Sequence, residues 1–210
     1  MLMFFPFVGL LLGLLTTSLY SSISHLGWYG AIISAIVYMI LYGFIHTEAI
    51  VDVFDAMYAS HSGKDAYEII KEPTVGAIGV LYATVFVIMK IAGVVFLLTH
   101  NMLMEFIAIL LVSRLSLLTL FIIHDFKSSF PSKLKEALDY GDLIVLFIIF
   151  LGIGSFFTLY FFVLLIVGLY LGFLLSLFLG YKIGFVNGDV LGATLEGVEI
   201  ILFFVVALFV

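Results

Sequence analysis

The stretch Leu143-Ile-Val-Leu-Phe-Ile-Ile-Phe-Leu-Gly152-Ile-Gly-Ser-Phe-Phe-Thr-Leu-Tyr160-Phe-Phe-Val-Leu-Leu-Ile-Val-Gly168-Leu-Tyr-Leu-Gly172-Phe-Leu-Leu-Ser-Leu-Phe-Leu-Gly180-Tyr181 holds no Asp, Glu, Lys or Arg over 39 residues. As one helix it would be about 58 Å long at 1.5 Å per residue, roughly twice the ~30 Å hydrocarbon core of a bilayer. It therefore reads as two antiparallel membrane helices, with the break between Gly152 and Tyr160. Similar apolar runs recur toward both termini. Together they give spans near 3–20, 28–46, 74–98, 102–123, 143–160, 161–181 and 189–210.

The composition agrees. The chain is 65% hydrophobic and only 10% charged, with a mean hydropathy of +1.36, which describes an integral membrane protein built from α-helices. No segment alternates polar and apolar residues as the strands of a membrane barrel do. The expected fold is an all-α polytopic bundle of about seven transmembrane helices, and residues 1–210 form a single membrane domain. With no cysteine, disulfides, thiolate metal sites and a thiol nucleophile are excluded. The net charge of −6 comes from clustered acids, which argues against a nucleic-acid partner and for local cation sites. Met1-Leu-Met-Phe-Phe-Pro6 lacks the features of a signal peptide and reads as the start of the first span.

Loop cations set the orientation. Lys64 and Lys71 fall between spans two and three, Lys127, Lys133 and Lys135 between four and five, and Lys182 between six and seven. With seven spans all of them share one side, which the positive-inside rule makes cytoplasmic. Residues 47–72 are too polar to cross and suggest a helix at that surface, with a turn near His61-Ser-Gly63 and Pro73 opening the next span. Residues 124–142 form a second polar loop.

Against this background one run is anomalous: His46-Thr-Glu48-Ala-Ile-Val-Asp52-Val-Phe-Asp55. Its three acids are spaced i, i+4, i+7 and share a helix face. Ionised groups beside an apolar segment are expensive and tend to be functional. Three carboxylates with few cations nearby suit a hard ion such as Mg²⁺. His46 would point nearly away from them on a continuous helix. A second acidic element, Asn187-Gly188-Asp189-Val-Leu-Gly192-Ala-Thr194-Leu-Glu196-Gly-Val-Glu199, aligns Asp189 and Glu196 and leaves room at its glycines for a phosphate. It also fits an Asn-Gly turn, a cap and small residues for packing. Glu196 and Glu199, placed within an apolar helix, exceed what a cap requires.

Arg114 stands mid-span and needs an acidic partner, a cavity or an anionic ligand. Phosphate binding and ion pairing both satisfy it. Lys90 is placed similarly within its span, and Lys71 and Glu72 lie at the membrane surface. Convergent carboxylates at one face, with cations in reach, suit metal-dependent transfer chemistry on a diphosphate.

These motifs resemble those of cobalamin synthase, the adenosylcobinamide-GDP ribazoletransferase family. Phe5-Pro6-Phe-Val-Gly9-Leu-Leu-Leu-Gly13 resembles the family's Phe-Pro-x-x-Gly-x-x-x-Gly opening. His46 to Ala56 resembles its His-Leu-Asp-Gly-Leu-Ala-Asp-x-x-Asp-Gly signature. Ile69-Ile-Lys71-Glu72-Pro-Thr-Val-Gly76-Ala-Ile-Gly79 resembles Met-Lys/Arg-Asp-Ser-x-x-Gly-x-x-Gly, followed by Lys90. Ser113-Arg114 and the run from Asn187 to Glu196 complete the order.

The resemblance implies a reaction that joins adenosylcobinamide-GDP to α-ribazole or its 5′-phosphate, releasing GMP and yielding adenosylcobalamin or its 5′-phosphate. It implies Mg²⁺ as the cofactor, held by Glu48, Asp52, Asp55 and Asp189, with catalysis by Asp52, Asp55 and Asp189. Arg114, Lys71 and Lys90 would meet phosphates, and His46, Glu72, Asn187 and Glu196 are second-rank members. The site would lie on the cytoplasmic face of a cell membrane, in contact with lipid, and the sequence leaves a homo-oligomer open. Departures from the family pattern are Glu48 for Asp, Ala49 and Ala56 for Gly, Glu72-Pro73 for Asp-Ser and Asn187 for Thr. The family's usual stretch before Phe5-Pro6 is also lacking. Rival readings are another Mg²⁺-dependent membrane phosphotransferase, such as the CDP-alcohol type, and a cation transporter with acids along its path.

Overall fold

The computed structural model describes residues 2–59, 63, 65–71 and 74–209. Among the described residues there are helices and no strands. The chain opens on a short 3₁₀ turn, Leu2–Phe4, and runs into α1, Phe5–Ile23, with Pro6 in its first turn, where a missing N–H costs nothing. Then follow α2 (Trp28–Leu41), α3 (Ile45–Ala59), α4 (Ala66–Lys71), α5 (Ala77–Thr99) and α6 (Leu103–Ile123). The rest comprises α7 (Ser129–Glu136), α8 (Tyr140–Phe157), α9 (Phe161–Ile183) and α10 (Gly188–Ala207).

The uncharged stretch breaks where its length requires. Helix α8 ends at Phe157 and α9 begins at Phe161. Among the described residues, six segments are long and apolar enough to cross a membrane, and α2 and α3 meet the same criterion only when taken together as a bent pair.

That bend corrects the second span, which the apolar run extends to residue 46. Helix α2 stops at Leu41. Gly43 and Phe44 both adopt positive φ, at 69° and 56°, and α3 departs at 77° to α2. A positive φ is uncommon for a bulky residue, so a phenylalanine there gave no warning of the break. The polar segment after it is helical, as expected, in α3 and α4. Of the expected turn near His61, only Gly63 is described. Lys64 and Pro73 lie outside the described residues.

Helices α6 and α10 form the centre, with most of their residues buried. Every side chain from Phe106 to Leu118 is buried, although the surrounding medium is itself apolar. Helix association in lipid relies on close packing and polar contacts rather than on water exclusion, and the glycines show how. Gly9 and Gly13 seat α1 on α6: a Cβ on Gly9 would lie 2.9 Å from Arg114 Cδ, and one on Gly13 3.1 Å from Ile107 Cα. Across the same helix, Ser116 Oγ donates to the Gly168 carbonyl of α9 at 3.0 Å. The opening Phe-Pro-x-x-Gly-x-x-x-Gly motif is thus a packing surface. On the outside of the bundle, α8 and α9 present Ile144, Ile148, Phe162 and Tyr170.

Helix ends are fixed locally. Asp139 caps α8, accepting from the N–H groups of Gly141 and Asp142. Gly184 ends α9 in the left-handed region, and Asn187 caps α10 by accepting from Val190 N–H at 3.0 Å. His124, just past α6, faces Ser176 at 2.8 Å. Burial and the nearby Lys135 ammonium lower its pKa, so it stays a neutral hydrogen-bonding link to α9.

Candidate active site

Helix α3 positions the acids. Ala49, Ile50, Val53 and Ala56 are buried on one side, where α3 packs against α5 and α10. Glu48 and Asp52 line an open cavity of about 440 Å³ together with Thr47, Val51, Ile70, Thr74 and Val75. Glu48 is exposed and Asp52 half-buried. Asp189, in the first turn of α10, adds its negative field to those of Glu48 and Asp55 at Asp52. The two acidic motifs, 137 positions apart between Asp52 and Asp189, are therefore within electrostatic reach of each other. Asn187 orients that junction: its Nδ2 donates to Asp189 Oδ2 at 2.7 Å while its Oδ1 caps the helix.

Asp55 occupies a different position. Its carboxylate accepts from Gly76 N–H at 2.6 Å and from Gly79 N–H at 2.7 Å. These are free amides at the start of α5, where a helix's positive end favours an anion. A Cβ on Gly79 would stand 2.5 Å from the Val51 carbonyl oxygen and 2.6 Å from Asp55 Oδ2. The Gly-x-x-Gly pair is therefore a seat for Asp55, locking α3 to α5 beside the cavity. Substituting Gly79→Ala is expected to displace Asp55 and lower turnover roughly tenfold or more, because positioning errors of an ångström are costly at a reacting centre. Ordinary turnover with normal thermal stability would contradict the seat.

His46 faces away from Glu48 and Asp52, as the helical spacing implies, but it is not isolated. Its ring stacks on Tyr42 at 5.7 Å between centroids. A Cβ on Gly192 would lie 3.4 Å from its Nδ1, so α10 brings its own motif to His46. Lys71 is exposed, pairs with Glu68 at 3.5 Å and lies 3.8 Å above the Tyr67 ring. Glu72 lies outside the described residues.

Deeper in the bundle, the charged residues meet one another. Lys90 Nζ pairs with Glu196 at 2.5 Å and with Glu199 at 2.8 Å, and Arg114 pairs with the other oxygen of Glu199. Tyr38 donates to Glu199 at 2.7 Å and Ser113 at 3.0 Å. Lys90 also donates to Tyr42 at 3.2 Å. Two cations and two carboxylates, all buried, balance each other, as intramembrane charges must. Glu196 Oε1 has no partner among the described residues. Of the two roles open to Arg114 and Lys90, the structure shows ion pairing. Sequence reasoning did not select Tyr38 or Tyr42, although their i, i+4 spacing on the apolar face of α2 was a readable signal.

Among the described residues, no three His, Asp or Glu side chains stand close enough together to hold a metal ion between them.

Comparison with known proteins covers nearly the whole molecule. Adenosylcobinamide-GDP ribazoletransferase from Clostridium perfringens strain SM101 is 28% identical over 206 residues, covering 93% of this chain and 82% of that protein. The Clostridium tetani protein of the same name is 28% identical over 217 residues, covering 98% and 85%. That of Chlorobium chlorochromatii is 34% identical over 116 residues, covering 54% and 46%. No solved structure matches. The family model for cobalamin-5-phosphate synthase matches residues 1–207, which takes in α3, the Asp55 seat, the buried charges and the start of α10, and the chain belongs to that family.

Proposed function

We propose that this protein transfers the phosphocobinamide group of adenosylcobinamide-GDP to α-ribazole or α-ribazole 5′-phosphate, releasing GMP. The observation that carries this reading is the packing of α10 on α3, which brings Asp189 within electrostatic reach of Asp52 and Glu48, two residues that line an open cavity. Family membership supplies the substrates.

The chemistry follows from the site. A ribose hydroxyl of the acceptor attacks the phosphorus on the cobinamide side of the diphosphate. A new P–O bond forms, the bond to the bridging oxygen breaks, and GMP leaves with that oxygen. The hydroxyl proton passes to a carboxylate, for which Asp52 and Asp189 are the candidates. Asn187 holds Asp189 in place, and the Asp55 seat holds α3. Lys71 follows Ile70 of the cavity wall on α4, and its role in this reading is to meet phosphate. Arg114 and Lys90 fix α10 against α5 and α6 from within, so their contribution is to hold Asp189 at the right depth.

The donor set is all oxygen, which suits Mg²⁺. That ion is typically held by one or two carboxylates with substrate phosphates and water completing its shell; a closed cluster of three protein ligands is not required. One or two of Glu48, Asp52 and Asp189 would hold it. When bound it neutralises phosphate charge and stabilises the leaving group. GMP release is expected to disappear on chelation of divalent metal and to return with Mg²⁺; full activity in excess chelator would contradict the assignment. The lysine distribution supports a cytoplasmic site in a lipid bilayer. A cation transporter is disfavoured because the buried carboxylates pair with Lys90 and Arg114, while Glu48 and Asp189 lie in the first turns of α3 and α10.

A further inference from the structure

A second cavity, of about 280 Å³, lies on the other side of α3 from the acidic one. Its walls are Ile45 and Ala49 of α3, Leu117 and Phe121 of α6, Leu191 of α10, Phe5 of α1, and Phe130, Pro131 and Leu134 of α7. Its polar members are His46 and Asp189. Asp189 is thus shared: it faces this apolar chamber and also bears on Asp52.

We infer that this chamber holds the aromatic base of the acceptor nucleoside, with the ribose at Asp189. The inference rests on the transferase reading above. It is argued from three observations. The chamber is below the size of typical drug-sized sites, about 300–1,000 Å³, so it excludes a corrin ring and suits one bicyclic ring. Its lining is apolar apart from His46 and Asp189; with Asp189 engaged by the ribose, a guanine base would leave most of its polar edge unpaired, whereas a benzimidazole has little to satisfy. The glycine at position 188 borders it, and a Cβ there would meet nothing within 4 Å. The start of α10 therefore leaves open space where a sugar would pass from the chamber to Asp189. His46, stacked on Tyr42, lines the same chamber.

Helix α7 gives the chamber its outer wall. Pro131 is buried and Leu134 half-buried, while Lys133 and Glu136 are exposed. Phe130, 61% exposed, forms the rim, so truncating it or Leu134 alters the chamber without emptying the bundle core.

The test is steady-state kinetics on Phe130→Ala and Leu134→Ala with both substrates varied. Each variant is expected to raise the acceptor KM about tenfold and leave the donor KM unchanged. Equilibrium dialysis of labelled α-ribazole without donor is expected to show the same loss of affinity, whether or not turnover is measurable. Unchanged acceptor KM and unchanged ribazole binding, with GMP release intact, would overturn the base chamber and leave the transferase reading standing. An equal rise in both KM values would also overturn it, as would a chamber filled by a lipid chain that ribazole does not displace. Absence of GMP release from the unsubstituted protein would instead sink the transferase reading itself.

Discussion

Substituting Asp52→Asn is expected to reduce GMP release roughly 10²–10⁴-fold, the range associated with a lost acid–base group, while making the protein no less stable. Asp52 is half-buried and receives like charge from Asp189, Glu48 and Asp55. An uncharged isostere removes that repulsion. A gain of 1 kcal/mol would raise the melting temperature by about 2–4 °C at this chain length. A site that sacrifices stability for chemistry behaves this way. Asp189→Asn is expected to lose turnover to a similar extent. The exposed Asp142 serves as the control, because its substitution by Asn is expected to leave the rate unchanged. Lower stability with normal turnover for Asp52→Asn would make these acids structural.

The second large effect concerns the buried charges. Glu199→Ala is expected to yield little folded protein, because it leaves Lys90 and Arg114 facing only Glu196. Breaking a buried pair from one side costs about 3–5 kcal/mol, a large part of a typical stability of about 5–15 kcal/mol. Removing a pair from both sides should differ. In Lys90→Met combined with Glu196→Leu, the Arg114–Glu199 pair remains electrically balanced. The double variant is expected to give more monodisperse protein in detergent than either single variant, with the donor KM retained. If each single variant folds normally and the donor KM rises in both, Lys90 is a phosphate ligand and not part of an internal frame.

Much of the architecture is legible in the sequence, because length against bilayer thickness leaves few alternatives. The division near Tyr160 follows from that arithmetic. Convergence of Glu48 and Asp52 follows from helical spacing alone. The break after Leu41 was hidden, since Phe44 takes a conformation that its residue type disfavours. The separate employment of Asp55 was hidden too, because its partners are backbone amides at Gly76 and Gly79, which carry no side-chain signal. Arg114 announced that it needed a partner; only the packing of α10 across α6 showed that Glu199 meets it. Helical spacing turns His46 away from Glu48 and Asp52, and its neighbourhood with Asp189 depends on where α10 crosses α3.

The most direct measurement is the stoichiometry of products from purified protein given adenosylcobinamide-GDP, α-ribazole and Mg²⁺. One GMP is expected for each corrinoid that gains a ribazole through a new phosphodiester, and neither product when α-ribazole is omitted. GMP formed at an undiminished rate without the acceptor, or no GMP above that seen with Asp52→Asn, would contradict the account.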